Sequence, residues 1–186
     1  MTSRKTAALL SGAATAFCAL ALGGAPAWAE NEDLPKESGQ YSAVGDRSGP
    51  SEIQSDEALA GRVVEEATAF AGIPYRFGGT TARGMDCSFF VRTAFDAAGV
   101  LLPRTAREMF VFGRFVEPGD LRAGDLVFFR TYARFPSHVG IYLGERLFIH
   151  ASRKSRKVQI DSLDAPYFSK RYLGGRRLDG PPVDAG

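Results

Sequence analysis

The sequence predicts an α+β domain with N-terminal helices packed on an antiparallel β-sheet. Two observations carry this. Between Ser55 and Phe112, apolar residues recur at helical spacing and are punctuated by Gly and Pro. From Asp125 to Ile160 the chain turns to short β-branched and aromatic runs separated by turn residues. Helices first and strands afterwards is the order of an α+β domain, not of a sheet built by alternating strand and helix.

The first helix is expected from Ser55 as N-cap, with Leu59, Val63, Ala67 and Phe70 on one face, until Gly72-Ile73-Pro74 ends it. Tyr75 to Thr80 reads as a Gly-containing loop. A second helix is expected from about Cys87 to Ala98, with Gly99 as its stop. Thr105 and Glu108 form a capping-box pattern, so a short third helix should reach about Phe112. Strands are expected over Asp125–Arg130, His138–Leu143, Leu147–Ser152 and Val158–Ile160. The basic stretch Arg153 to Lys157 reads as a solvated hairpin turn. Most of the phenylalanines read as core, with Phe135, just before His138, as a loop residue.

The ends of the chain read differently. Arg4 and Lys5 precede an apolar run from Thr6 to Gly24, and Ala27-Trp28-Ala29 is a small-x-small processing site. Residues 1–29 are therefore expected to be a signal peptide cleaved after Ala29, leaving no integral membrane segment and placing the protein in the periplasm or outside the cell. Cys18 could mark a lipoprotein, but Phe17 before it and the apolar residues after it disfavour lipidation. Residues 30–54 read as a flexible leader, 55–178 as the folded domain and 179–186 as a disordered tail. Without Arg4 and Lys5 the basic residues equal the 21 acidic ones, so global charge gives no sign of a nucleic-acid partner. About 155 residues remain, enough for one core, and a monomer is expected.

The sequence has two cysteines, and with Cys18 removed only Cys87 stays, at the start of the second helix. A lone thiol in an exported protein points to chemistry or to intermolecular pairing. The sequence also has only two histidines, His138 and His150, in successive strands. If the loop between them holds an odd number of residues centred on Gly144, they lie directly opposite one another on one face. With the second helix laid on that face, Cys87 becomes nucleophile, His138 base and His150 the group that orients it. A helix N-terminus and an adjacent imidazolium would both lower the thiol pKa, and first-turn N–H groups could hold an oxyanion. The same three residues are also legitimate zinc ligands, although a fourth local ligand is missing.

Six motifs in register resemble the NlpC family of bacterial cell-wall cysteine peptidases. They are Pro74-Tyr75-Arg76-Phe77-Gly78-Gly79, Asp86-Cys87-Ser88, Leu102-Pro103-Arg104-Thr105, Gly124 to Phe129, His138 to Leu143 and Phe148-Ile149-His150-Ala151. The C-terminal run Pro166 to Tyr172, with Arg176-Arg177-Leu178, resembles the Spr-type murein endopeptidases of that family. The resemblance implies a papain-like core, peptidoglycan as substrate and partner, and no metal or organic cofactor. It implies Cys87 as nucleophile, His138 as general base and His150 as orienting residue. Tyr75 matches a residue lining the site, Asp86 and Ser88 match positions beside the nucleophile, and Arg104 matches a family position of unassigned role. Phe89 departs from the usual Gly, and Met109 from the usual Gln, which bears on subsites.

By that resemblance the bond cut is the D-Ala to meso-diaminopimelate cross-link, with the D-γ-glutamyl to diamino acid bond as alternative. Other readings are a non-catalytic wall-binding module, an acyl transferase using the same triad, or an exported toxin with identical chemistry.

Overall fold

The computed structural model describes residues 50–178, with side chains from Asp56 onward. The expectations for the signal peptide, for Cys18 and for the tail lie outside the described residues. Among those residues no helix is long and apolar enough to cross a membrane.

Helix α1 runs Pro50–Ala69. It starts ahead of Ser55, the expected cap, and Pro50 at its first position suits a site where no backbone N–H is needed. Leu59, Val63 and Ala67 are buried along one stripe, as the spacing requires. After two small strands, β1 (Thr80–Thr81) and β2 (Gly84–Met85), helix α2 covers Cys87–Ala97. The Asp86 side chain caps it by accepting from the Phe89 N–H. At its other end Gly99 takes φ 89°, and the Val100 N–H turns back to the Phe95 carbonyl. Helix α3 (Ala106–Met109) carries the expected capping box between Thr105 and Glu108, but is shorter than expected.

Six strands form one antiparallel sheet: β3 (Arg114–Val116), β4 (Leu126–Phe129), β5 (His138–Gly144), β6 (Leu147–Ser152), β7 (Lys157–Ser162) and β8 (Tyr172–Arg177). Their order is β3-β8-β4-β5-β6-β7, so a meander of four strands is flanked by β8, which returns to pair with β4. Helix α4 (Pro166–Ser169) leads into β8.

Both sheet faces are covered. Leu126, Phe128, Val139, Ile141, Ile149 and Ala151 point toward α1 and α2 and join Val63, Phe90, Val91 and Phe95 in the main core. Val127, Phe129, Tyr142 and Phe148 point the other way, where Leu163, Phe168 and Tyr172 of the C-terminal segment close a second cluster. The period-two alternation along each strand produces this division.

Candidate active site

Cys87 is the first residue of α2 and is buried. The Phe89 N–H is taken by the Asp86 carboxylate and the Phe90 N–H by the Asp86 carbonyl. The N–H groups of Cys87 and Ser88 bear on the sulfur, and so does the N–H of Val139, the residue after His138. The thiol therefore sits against the His138–Val139 peptide.

It arrives there by a different route from the one expected. Helix α2 packs on the face that carries Val139 and Ile141, not on the face that carries the histidines. The apolar stripe of α2 needs an apolar surface, and the histidine face is already filled by Phe129, Phe148 and Phe168. Because His138 is the first residue of β5, the N-terminus of α2 approaches it around the strand end instead.

The pairing of the two histidines also needs correction. They are not directly opposite: Ile141 pairs with Ile149 and Tyr142 with Phe148. The turn consists of Glu145 and Arg146, both at positive φ, as tight hairpins require. A two-residue turn alone would send His138 and His150 to opposite faces. The register shift between Tyr142 and Gly144 supplies the extra residue that restores the parity. The rings then meet diagonally, edge to face, with centroids 4.8 Å apart. Gly140 gives them room, since a Cβ there would lie 3.1 Å from the His150 Cβ.

His138 Nε2 and His150 Nδ1 are 2.6 Å apart, and His150 Nε2 is 2.9 Å from Asp161 Oδ2. Gln159 donates to the same Asp161 oxygen at 2.7 Å. Sequence reasoning did not single out Asp161 or Gln159. The only available signal was the hairpin between β6 and β7, whose register places His150 opposite Gln159 and Phe148 opposite Asp161 on one face.

Electrostatically the resting site is neutral at its centre. Burial holds His138 well below its ordinary 6.5, helped by the neighbouring His150 and opposed by Asp161. Burial pushes the Cys87 thiol up to about 11, against the N–H groups of Val139, Ser88 and Cys87 itself. The expected lowering of the thiol pKa is therefore outweighed by burial, and with His138 neutral there is no adjacent imidazolium to favour the thiolate.

A cleft of ≈ 490 Å³ opens beside the thiol. Tyr75, Asp86, Ser88 and Arg104 all line it, together with Phe135 and Tyr132, the last of which has no sequence signal of its own. Arg104 forks the Asp86 carboxylate at 2.7 and 3.2 Å and also donates to Ser88 Oγ. Ser88 in turn donates to Asp86. These three residues spend much of their polar capacity on each other, shaping the wall beside Cys87. Phe89 lies under the Arg104 guanidinium, 5.7 Å from ring centroid to carbon. Met109 is fully buried core. The Tyr75 phenol is pushed up to about 12, first by burial and then by the Cys87 and Asp86 charges, while Arg153 pulls it down. Arg153, in the turn read as a solvated loop, thus bears on the cleft.

Comparison with known proteins finds relatives of this chain both by sequence and by fold. A Haemophilus influenzae protein described as a probable endopeptidase NlpC homolog is 42% identical over 129 residues, covering 69% of this chain and 66% of the relative. The Escherichia coli K12 protein described as murein DD-endopeptidase MepS/murein LD-carboxypeptidase is 42% identical over 118 residues, covering 63% and 62%. The chain thus spans slightly less than two thirds of the length of these curated relatives. Among solved structures, the Mycobacterium tuberculosis peptidoglycan hydrolase RipB superposes with TM-score 0.59 at 27% identity, covering 71% of this chain and 73% of that one. A Bacillus cereus NlpC/P60 family protein gives TM-score 0.59 at 33% identity, covering 63% and 39%. These neighbours share the α+β, papain-like fold, and the NlpC/P60 family model matches residues 72–177, more than half of the sequence, so the chain belongs to the NlpC/P60 family.

Proposed function

We propose that this protein is an exported cysteine peptidase that hydrolyses amide bonds in peptidoglycan stem peptides, cutting the D-Ala to meso-diaminopimelate cross-link. The observation that carries it is a thiol at a helix N-terminus against the His138–Val139 peptide, with His138 Nε2 bonded to His150. The activities by which the relatives are described, murein endopeptidase and peptidoglycan hydrolase, support the substrate class. Export rests on residues 1–29 acting as a signal peptide, which places the enzyme where its substrate is.

In the proposed reaction Cys87 attacks the scissile carbonyl carbon while its proton passes to His138. The carbonyl oxygen becomes an oxyanion, for which the Cys87 N–H and the Tyr75 hydroxyl are the candidate donors. His138 then protonates the leaving amine, and a water activated by His138 releases the acyl group from sulfur. Asp86, Ser88 and Arg104 form the wall along which the stem peptide lies.

The test is digestion of purified peptidoglycan and cross-linked muropeptides by the mature protein beside Cys87→Ala, with products read by mass. Conversion of dimeric muropeptides to intact tetrapeptide monomers, absent in the variant, is the expected result. Products cut after D-glutamate keep the mechanism and move the bond. Loss of a C-terminal D-residue from monomers would assign the carboxypeptidase activity named for the E. coli relative. Wall binding with no cleavage of any kind overturns the enzyme reading.

A further inference from the structure

We propose that Asp161 is a positioning residue that fixes the proton order of the two histidines and so leaves one nitrogen of His138 bare for the thiol. Its catalytic consequence rests on the peptidase reading above; the proton order itself does not.

An ionised carboxylate only accepts hydrogen bonds. His150 Nε2, 2.9 Å from Asp161 Oδ2, therefore carries a proton. In a neutral imidazole the other nitrogen is then an acceptor, so His150 Nδ1 receives the bond at 2.6 Å from His138 Nε2. That in turn puts the proton of neutral His138 on Nε2 and leaves Nδ1 with a free lone pair. The direction of every bond follows from Asp161 at the end of the chain. Gln159, donating to the same carboxylate oxygen, fixes which oxygen His150 meets. His150 is 1% exposed and held by Phe148 and Phe168 on its faces and edges, so no solvent-facing ring flip offers an alternative. Without Asp161, His150 Nε2–H loses its carboxylate acceptor, and the order that frees His138 Nδ1 loses the anchor that fixes it.

The experiment exploits the fact that the sequence contains only two histidines. Nitrogen-15 NMR of the imidazoles is recorded at neutral pH on the full-length protein carrying Cys87→Ala, with and without Asp161→Ala and Asp161→Asn. The proposal requires both rings of the parent to be Nε2-protonated. Asp161→Ala should populate the reversed tautomers, and in the Cys87 protein should lower kcat about 100-fold with little change in KM. Asp161→Asn keeps an oxygen that Gln159 can hold in place, so it should retain the Nε2–H order and an intermediate kcat. A merely structural role would give no such rescue of proton order. Asp161→Ala with unchanged tautomers and unchanged kcat overturns the proposal. Should Asp161→Ala fail to fold, Asp161→Asn with Gln159→Ala carries the test, because the freed amide can donate to His150 and should reverse both rings; retained Nε2–H order there overturns it. If no variant cleaves any muropeptide while the tautomers respond as stated, the peptidase reading falls and the proton order stands.

Discussion

At Cys87 a helix N-terminus and three backbone N–H groups favour the thiolate, and burial opposes them and prevails, leaving the thiol at about 11. His138 is held neutral by the same burial. The resting pair is therefore thiol and imidazole, and the proton moves only as the carbonyl is attacked. The sign of the pH dependence follows. His138 must be unprotonated to act as base, so kcat/KM should fall only once pH drops well below 6.5, the ordinary histidine value. No step should occur near the ordinary thiol value of about 8.5, and the profile should stay flat toward the raised value of about 11. A pH series with a soluble muropeptide checks this. A descending limb between pH 7 and 9 would instead indicate a preformed thiolate and imidazolium, and would refute the neutral pair.

At the scale of elements, the site depends on how β5 and β6 are registered. The two-residue turn at Glu145-Arg146 and the irregularity between Tyr142 and Gly144 together put both histidines on one face. Gly140 makes the close approach possible: a Cβ there would meet the Ile149 carbonyl at 2.9 Å and the Phe148 ring at 2.7 Å. Gly140→Ala should therefore cost about 1–3 kcal/mol of stability, measured by urea unfolding. It should also lower kcat, because the crowded strand segment Phe148–His150 carries one of the two histidines. Undiminished kcat in a destabilised variant would show that the histidine pair tolerates the shift. This is also where sequence reading reached its limit. Gly99 announced the end of α2 through local chemistry, and the even spacing of His138 and His150 put both on one face. The true register lay in a turn and bulge that together preserve the parity of a simpler loop. Strand β8 was not assigned, because Gly174-Gly175-Arg176-Arg177 has no strand composition. It is a strand because β3 and β4 pair with it, and because Gly175 admits the Val116 carbonyl and Leu121. The role of Asp161 was hidden for a similar reason: it exists only once β7 is registered on β6.

At the scale of the whole molecule, the sheet separates two duties. Helices α1 and α2 on one face supply most of the core and bring Cys87 to the end of β5. On the other face the C-terminal segment from Leu163 to Tyr172 closes over the histidines. Phe168 is central to that cover, lying 5.3 Å from His150, 5.1 Å from Phe129 and 4.9 Å from Phe148 by ring centroids, while Phe129 in turn lies 6.0 Å from His138. The largest cause of the depressed His138 pKa is burial, and the C-terminal segment contributes to that burial by covering the partner ring, His150. Phe168→Ala should cost about 3–5 kcal/mol and admit water to the pair. Water favours the charged imidazole, so the His138 pKa should rise toward 6.5 and the acid limb of kcat/KM should move to higher pH. Leu59→Ala, on α1 at the opposite face, is the control: it should lose about 2–5 kcal/mol with the acid limb unmoved. Equal shifts in both variants would mean that the limb follows overall stability. A shift in Phe168→Ala alone would mean that the second core tunes the base while the first positions the nucleophile.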